Sequence, residues 1–204
     1  MPGTPQVATV LYAAGTTIVS EAGNAFVTGQ DSKPEVIQKE LLDFLVKHRA
    51  KPMDANEILQ KAIAEGTTDK KIVFLHFGAP WCGWCHRMED WMAEPQVAAI
   101  LGKAFADLKV DTDRMLGGQA LLKKYCEKQG GIPWFVFVSP EDGTVVTTSD
   151  GPKGNIGFPA TDEEIAYFVT MLETTKRLSP EDIHLLNESL VANRKARESK
   201  TRKQ

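Results

Sequence analysis

The fold of this chain is decided by residues 72–95, which read IVFLHFGAPWCGWCHRMEDWMAEP. Residues 72–77 form an apolar run rich in β-branched and aromatic side chains, which predicts a buried strand. This strand ends at Gly78, where a Gly-Ala-Pro turn follows. The next apolar positions are spaced as on one face of a helix: Cys85, Met88 and Trp91. The sequence therefore predicts that a strand passes directly into a helix, with Cys82 and Cys85 at the junction.

Two thiols at a helix N-terminus suggest redox chemistry. Free backbone N–H groups and the positive end of the helix dipole stabilise a thiolate there, and the thiolate is the species that attacks a disulfide. We expect Cys82 to be the nucleophile because it lies at the exposed start of the turn. Cys85 follows three residues later, within reach to resolve a mixed disulfide.

A second motif, Gly131-Ile132-Pro133, precedes another strand-like run at residues 134–138. Paired with the C-G-W-C-H string that begins at Cys82, it resembles the thioredoxin-fold family over about residues 54–178. The resemblance implies an α/β protein, a thioredoxin-like three-layer α/β/α sandwich with a mixed central sheet. It also implies thiol-disulfide exchange through Cys82 and Cys85.

The resemblance further implies a substrate groove. In this family the proline is cis and packs against the dithiol, and the residue before it offers backbone hydrogen bonds to a bound peptide. Ile132 and Pro133 are therefore expected to form part of the groove. The rings of Trp81, Trp84 and Trp134 would supply an apolar surface for an extended peptide, or would simply cap the core.

Two histidines are expected to modulate the dithiol. His76 stands where thioredoxin has a buried acid beneath the dithiol, which leaves open the route by which a proton is transferred. Its place within an apolar strand also fits a packed core histidine. His86 follows the second cysteine; it is either a satisfied surface residue or, when protonated, a group that favours the Cys82 thiolate.

The string Cys-x-x-Cys-His admits other chemistry. It is also the attachment string of c-type haem, but the strand before it and the Gly-Ile-Pro loop after it are typical of the thioredoxin fold. Zinc would require Cys126 or His76 to converge on the pair. A further alternative is a structural disulfide that is never reduced, in which case the domain would serve only to bind a partner. We expect no cofactor and no metal, and we interpret Asp111 and Asp113 as a solvated turn.

The first fifty residues repeat a later part of the chain. Residues 3–64 align without a gap with residues 131–192, a shift of 128, and thirteen of the sixty-two pairs are identical. The repeat predicts that residues 1–50 are a partial thioredoxin-like unit, a β-hairpin plus a helix, whose dithiol half would precede residue 1. The alternative is an unrelated hairpin and helix packed on the main domain. A half-unit leaves a sheet edge unpaired, which would permit self-association.

Residues 51–178 are expected to form the thioredoxin-like domain, and residues 179–204 a helix with a basic, disordered tail from Arg194 onward. The net charge of −3 gives no basic field for nucleic acid, and no apolar run approaches the roughly 20 residues of a membrane span. The chain begins without a leader pattern. We expect a cytoplasmic protein if the chain is complete as given, and a periplasmic or secreted one if a leader was removed.

Two functions from different classes follow. The favoured one is a thiol-disulfide oxidoreductase that acts on protein or peptide disulfide or dithiol substrates and exchanges electrons with a redox partner protein. Whether it reduces or oxidises depends on reduction potential. The other is a non-catalytic thioredoxin-like binding or folding module of a larger tandem protein, whose binding would survive the loss of both thiols.

Overall fold

The computed structural model describes residues 53–126 and 130–201, together with Lys39 and Leu42. The chain divides into two units, Met1–Lys51 and Pro52–Gln204. The hairpin and unpaired sheet edge predicted for residues 1–50 lie outside the described residues, and of the predicted helix the structure describes Lys39 and Leu42, both helical. The partial repeat therefore stays a prediction.

The second unit contains six helices and six strands within its described residues. In chain order they are α1 (Ala55–Asp69), β1 (Ile72–Gly78), α2 (Gly83–Met92), α3 (Pro95–Ala104), β2 (Phe105–Asp111), α4 (Gly118–Tyr125), β3 (Trp134–Val138), β4 (Val145–Thr148), β5 (Asp150–Gly151), β6 (Gly154–Asn155), α5 (Asp162–Thr175) and α6 (Pro180–Thr201). None of the helices in this described part combines the length and apolar content needed to cross a bilayer.

The main sheet has four strands in the order β2-β1-β3-β4. Strand β1 pairs with β2 in parallel and with β3 antiparallel, and β3 pairs antiparallel with β4. Strands β5 and β6 form a separate two-stranded ribbon. A mixed central sheet with helices confirms the predicted α/β, thioredoxin-like fold class.

Strand β1 is buried along its whole length, as its apolar sequence predicts. Because successive side chains of a strand point to opposite faces, β1 takes part in two cores. Phe74 lies in a cluster with residues of α2, α3, α5 and α6. Leu75 lies in a second cluster with residues of α1 and α4. The sheet is thus the middle layer of three.

Capping side chains begin two of the helices. Asp54 accepts two backbone N–H groups of the first turn of α1, at 2.8 and 3.2 Å. Thr161 and Glu164 form a reciprocal capping box at the start of α5. Both interactions satisfy N–H groups that have no partner within the helix. Helix α1 ends at Asp69.

Helix α6 differs from the sequence prediction at its C-terminal end. The basic segment that begins at Arg194 is helical as far as Thr201. Arg194 forms ion pairs with Asp162 of α5 and with Glu198 one turn later in α6. The prediction of a disordered tail is therefore wrong up to Thr201, because the arginine has partners that hold the helix in place.

The N-terminus of α6 is tied to α3 through Asp182. The carboxylate accepts hydrogen bonds from Lys103 Nζ at 2.7 Å and from Ser179 Oγ at 2.9 Å. The bond from Lys103, followed by that from Ser179, lowers the pKa of Asp182 from its ordinary value. Since the folded pKa lies below the unfolded one, the resulting stability is present above about pH 4 and is lost as the pH falls through the folded pKa.

We expect Asp182→Asn to lower the free energy of unfolding by about 0.5–1 kcal/mol at pH 7. The loss should be no larger because the Lys103 side chain is exposed, so solvent screens its interaction with Asp182. The difference from the wild type should shrink as the pH is lowered toward 3. Urea denaturation over that pH range measures it, with the exposed substitution Glu173→Gln as control. A deficit of the same size at every pH would contradict the assignment.

Candidate functional site

Cys82 and Cys85 form a disulfide at the N-terminus of α2, with their Cα atoms 5.2 Å apart. Cys82 is the N-cap of this helix, and its Sγ accepts the backbone N–H of Cys85 at 3.1 Å. The exposed fraction is 5 % for Cys82 and 1 % for Cys85. Cys82 is therefore the more accessible sulfur, and a thiolate formed there would receive a backbone hydrogen bond.

The loop before β3 faces the disulfide. The Ile132–Pro133 peptide bond is cis. Ile132 packs against Ala79 and the two cysteines, and its carbonyl oxygen lies 3.5 Å from Cys82 Sγ. The structure thus brings together the two motifs that are far apart in the sequence.

Asn155 of β6 anchors this loop, a role that the sequence analysis missed. Its Nδ2 donates to the carbonyl oxygens of Gly131 and Pro133, at 2.7 and 2.9 Å. Sequence pattern offers no signal for this contact, because both acceptors are backbone atoms distant along the chain. The side chain ties the cis-proline loop to the β5–β6 ribbon.

The three tryptophans of the predicted groove lie in different environments. Trp81 is 73 % exposed, and its Nε1 donates to Asp113 Oδ2 at 2.8 Å. Trp84 is 43 % exposed, whereas Trp134 is 1 % exposed and packs against Phe77. Trp134 therefore occupies the core, which is the alternative interpretation of the sequence, and its ring is not available to a peptide. The reason is the β1–β3 register. It pairs Phe77 with Trp134, and both side chains lie in the core cluster that also contains residues of α1 and α4.

The acidic residues after β2 build a turn beside the disulfide. Asp111 Oδ1 accepts the backbone N–H groups of Asp113 and Arg114, both at 2.9 Å. Thr112 donates its N–H to the carbonyl oxygen of Gly78 at 2.9 Å, which joins the turn to the end of β1. Within residues 53–126 and 130–201, no group of three or more His, Cys, Asp or Glu side chains is placed to hold a metal ion.

Polar side chains cluster on the face of the sheet that carries α2 and α3. His76 is 3 % exposed, and its Nε2 lies 3.0 Å from Asp107 Oδ1 without the orientation of a hydrogen bond. Lys109 Nζ lies 2.6 Å from Glu89 Oε1. His76 and Lys109 are neighbours in the parallel β1–β2 register. These four side chains and several apolar ones line a cavity of about 430 Å³.

Glu89 extends this cluster to the buried sulfur. A methyl group added to Gly78 would lie 3.3 Å from Cys85 Sγ and 4.0 Å from Glu89 Oε1. The sulfur and the carboxylate therefore border the same small space, which exists because Gly78 has no side chain. The sequence analysis missed Glu89, although residues four apart on a helix share a face and Glu89 follows Cys85 by four.

His86 lies over the turn that precedes the disulfide. Its Nε2 is 2.8 Å from the carbonyl oxygen of Pro80, so this nitrogen carries the hydrogen. Its Nδ1 is 3.9 Å from Glu89 Oε2, and half of the side chain is exposed. The effect of His86 on the Cys82 thiolate stays a prediction.

A solved structure with a similar fold is the disulphide isomerase from Xylella fastidiosa Temecula1. The two proteins share 27 % sequence identity with a TM-score of 0.50, and the match covers 61 % of this chain and 96 % of that one. The fold of the present chain thus has a counterpart in a solved structure that is described as a disulphide isomerase.

Two curated relatives are much longer proteins. An uncharacterized protein of Caenorhabditis elegans is 30 % identical over 124 residues, which are 57 % of this chain and 17 % of that protein. Human spermatogenesis-associated protein 20 is 25 % identical over 127 residues, which are 58 % of this chain and 16 % of that protein. The present chain therefore spans less than a fifth of the length of either relative.

The match to a protein family covers the dithiol, the cis-proline loop and most of α6. Residues 34–192 match the family Thioredox_DsbH, which is described as a protein of unknown function, DUF255. A thioredoxin-like sheet with a helix-terminal Cys82–Cys85 pair is consistent with that match. The chain belongs to the Thioredox_DsbH (DUF255) family of thioredoxin-fold proteins.

Proposed function

We propose that this chain is a thiol-disulfide oxidoreductase that acts on protein or peptide substrates. The observation that carries the proposal is the Cys82–Cys85 disulfide at the N-terminus of α2, with the Ile132 carbonyl 3.5 Å from Cys82 Sγ. The similarity to a protein described as a disulphide isomerase supports the same chemistry. The test is whether the chain accelerates the reduction of insulin when dithiothreitol is the electron donor.

The first step uses the more exposed sulfur. In the reduced chain, the Cys82 thiolate attacks one sulfur of the substrate disulfide. A bond forms between Cys82 Sγ and that sulfur, the substrate S–S bond breaks, and the other substrate sulfur leaves as a thiolate that takes up a proton from water. The helix N-terminus and the backbone N–H of Cys85 stabilise the attacking thiolate.

The second step uses the buried sulfur. The Cys85 thiol loses its proton and attacks Cys82 Sγ, which forms the Cys82–Cys85 disulfide and releases the second substrate sulfur as a thiolate. Two electrons pass from the chain to the substrate. A redox partner protein with a dithiol then reduces the Cys82–Cys85 disulfide and is itself oxidised. All steps are reversible, so reduction potential decides the direction.

Glu89 is the group that we assign to accept the Cys85 proton. A methyl group on Gly78 would lie 3.3 Å from Cys85 Sγ and 4.0 Å from Glu89 Oε1, so the two groups border the same space, and in this proposal a water relays the proton between them. Lys109 Nζ lies 2.6 Å from Glu89 Oε1 and orients the carboxylate. His76 lies deeper in the same cluster, where we expect it to modulate the site together with Asp107.

We expect Glu89→Gln to slow release of substrate from the mixed disulfide about tenfold at pH 7, within the range of general-base effects. The amide keeps the shape but accepts no proton. Stopped-flow measurement of the second step should show the defect shrinking at pH 9, where hydroxide removes the Cys85 proton directly. The exposed Glu173→Gln is the matched control, and a defect that does not change with pH would contradict a proton-transfer role.

The proposal includes a groove for an extended peptide beside the disulfide. Backbone groups of Ile132 next to the cis bond and the exposed rings of Trp81 and Trp84 would bind an extended substrate around the disulfide. Asp113 restrains the Trp81 ring, which reduces the entropy lost when a substrate binds.

A second candidate function is a thioredoxin-like binding module within a larger protein. The specific observation in its favour is that the curated relatives are several times longer than the present chain. Partner binding that is equally strong with Cys82 and Cys85 both replaced by Ser, in a chain that does not accelerate insulin reduction, would favour this function over the first.

A further inference from the structure

The side chain of Asn155 makes three hydrogen bonds that fix the orientation of its amide. Its Nδ2 donates to the carbonyl oxygens of Gly131 and Pro133, at 2.7 and 2.9 Å, and its Oδ1 accepts the backbone N–H of Gly157 at 3.1 Å. An asparagine amide has two N–H hydrogens and one oxygen, so both hydrogens are used. A reversed amide would place its oxygen against two carbonyl oxygens. The geometry therefore requires a side chain with two donors on one side and an acceptor on the other.

Two of these bonds lie on either side of the residue that faces the disulfide. Gly131, Ile132 and Pro133 are consecutive, and Asn155 binds the first and the third of their carbonyl oxygens. The carbonyl oxygen of Ile132 lies instead 3.5 Å from Cys82 Sγ. Asn155 thus restrains the loop on both sides of the Ile132 backbone, which is the part of the loop that the proposed groove uses to bind a peptide.

The ribbon that carries Asn155 is attached to β3 by other contacts. Ser149 donates its N–H to the carbonyl oxygen of Phe135 at 2.8 Å, and its Oγ accepts the Phe135 N–H at 3.0 Å. The carbonyl oxygen of Ser149 accepts the N–H of Ile156 at 2.8 Å. Ile156 is 8 % exposed and lies in the same core cluster as Phe135. The residue after Asn155 is therefore fixed to the core without the Asn155 side chain.

This attachment separates a role in positioning from a role in folding. Because Ser149 and Ile156 hold the ribbon, removal of the Asn155 amide would release the carbonyls of the loop and leave the ribbon in place. Cys82 Sγ would keep the backbone N–H of Cys85 as a partner. We expect the change to act on the Ile132 backbone and to leave the stabilisation of the Cys82 thiolate intact.

We propose that Asn155 is a positioning residue that makes the chain prefer a disulfide carried in an extended peptide to a small disulfide. This inference rests on the proposed function and adds a determinant of substrate class to it. A peptide would form backbone hydrogen bonds with Ile132, and these bonds require that the loop is held in place before the peptide arrives. A small disulfide without a peptide backbone forms no such bonds, so its reaction depends on access to Cys82.

The test compares two disulfides on the same preparation of the full chain. One is the disulfide-linked homodimer of a short, unstructured peptide with a central cysteine, and the other is bis(2-hydroxyethyl) disulfide. The chain is reduced with dithiothreitol, freed of it and mixed with each disulfide in a single turnover, and alkylation of the remaining thiols measures the oxidised fraction. Each rate is divided by the rate of the same disulfide with dithiothreitol alone, which removes its intrinsic reactivity. We expect the normalised rate of the wild type to be at least about tenfold higher for the peptide.

Variants assign this preference to the amide of Asn155. We expect Asn155→Ala to lower the ratio of peptide rate to small-disulfide rate at least about fivefold. Asn155→Asp keeps the size and the acceptor for Gly157, but it places a charged oxygen against two carbonyl oxygens, so its ratio should fall at least as far. Asn155→Gln keeps both donors and should retain more of the preference than Asn155→Asp. Lys153→Gln changes an exposed side chain in the turn of the same ribbon and should leave the ratio unchanged.

The outcomes distinguish this inference from the proposed function. Both disulfides meet the same preparation, so an unfolded fraction of a variant cancels from the ratio. A wild type that reduces both disulfides at equal normalised rates overturns this inference alone. The same conclusion follows if Asn155→Ala has the wild-type ratio, or if Asn155→Asp and Asn155→Gln have equal ratios. A wild type that reduces neither disulfide overturns the proposed function as well.

Discussion

Replacement of Cys82 by Ser should abolish the acceleration of insulin reduction, with a fall in rate of at least about 100-fold, because a hydroxyl at this position does not form the attacking thiolate. The expected loss follows from the geometry. Cys82 is the more exposed sulfur, it caps α2, and it faces the Ile132 carbonyl. The measurement is turbidity of precipitating insulin chains with dithiothreitol as the electron donor.

The variant Cys85→Ser should behave differently. Its Cys82 thiolate can still attack, but the mixed disulfide is not resolved from within the chain, so a covalent complex with the substrate should accumulate. Mass spectrometry under non-reducing conditions detects the complex.

Cys126 offers a matched control. It is half-buried at the end of α4 and lies outside the dithiol cluster, so Cys126→Ser should keep nearly the wild-type rate. Equal rates for the wild type and Cys82→Ser would end the assignment of an oxidoreductase. A complex trapped in Cys82→Ser instead of Cys85→Ser would reverse the roles of the two sulfurs.

Phe74→Ala should be the most destabilising of the single changes considered, with a loss of about 3–5 kcal/mol in the free energy of unfolding. Phe74 is 1 % exposed at the centre of an aromatic cluster, with the rings of Phe105, Phe135 and Phe137 at 5.8, 5.3 and 4.9 Å. Alanine would remove these contacts and leave a cavity between the sheet and the helices on that face. Urea denaturation followed by tryptophan fluorescence measures the loss.

The control for this prediction lies on the same sheet. Val145 begins β4 and is 48 % exposed, so Val145→Ala should change the free energy of unfolding by less than about 0.5 kcal/mol. A loss below about 1 kcal/mol in Phe74→Ala would contradict this prediction, because it would show that the neighbouring side chains move to fill the cavity.

Several elements were predictable because their signals are local. The apolar run of β1 and the spacing of Cys85 from the residues that follow it are properties of adjacent positions. Glu89 shows the limit of such signals. Its spacing from Cys85 was visible in the sequence, but its contact with Lys109 depends on where β2 pairs with β1.

By itself the sequence determined the strand-to-helix junction and the placement of both thiols at a helix N-terminus, since short-range periodicity and turn residues specify them. The α/β class followed from the resemblance of the two motifs to the thioredoxin-fold family. Only the tertiary structure decided that Trp134 is buried and that the basic end of α6 is a helix with Arg197 on Trp84. Each of these outcomes depends on strand register and on packing between segments far apart in the chain, which no local pattern of residues encodes.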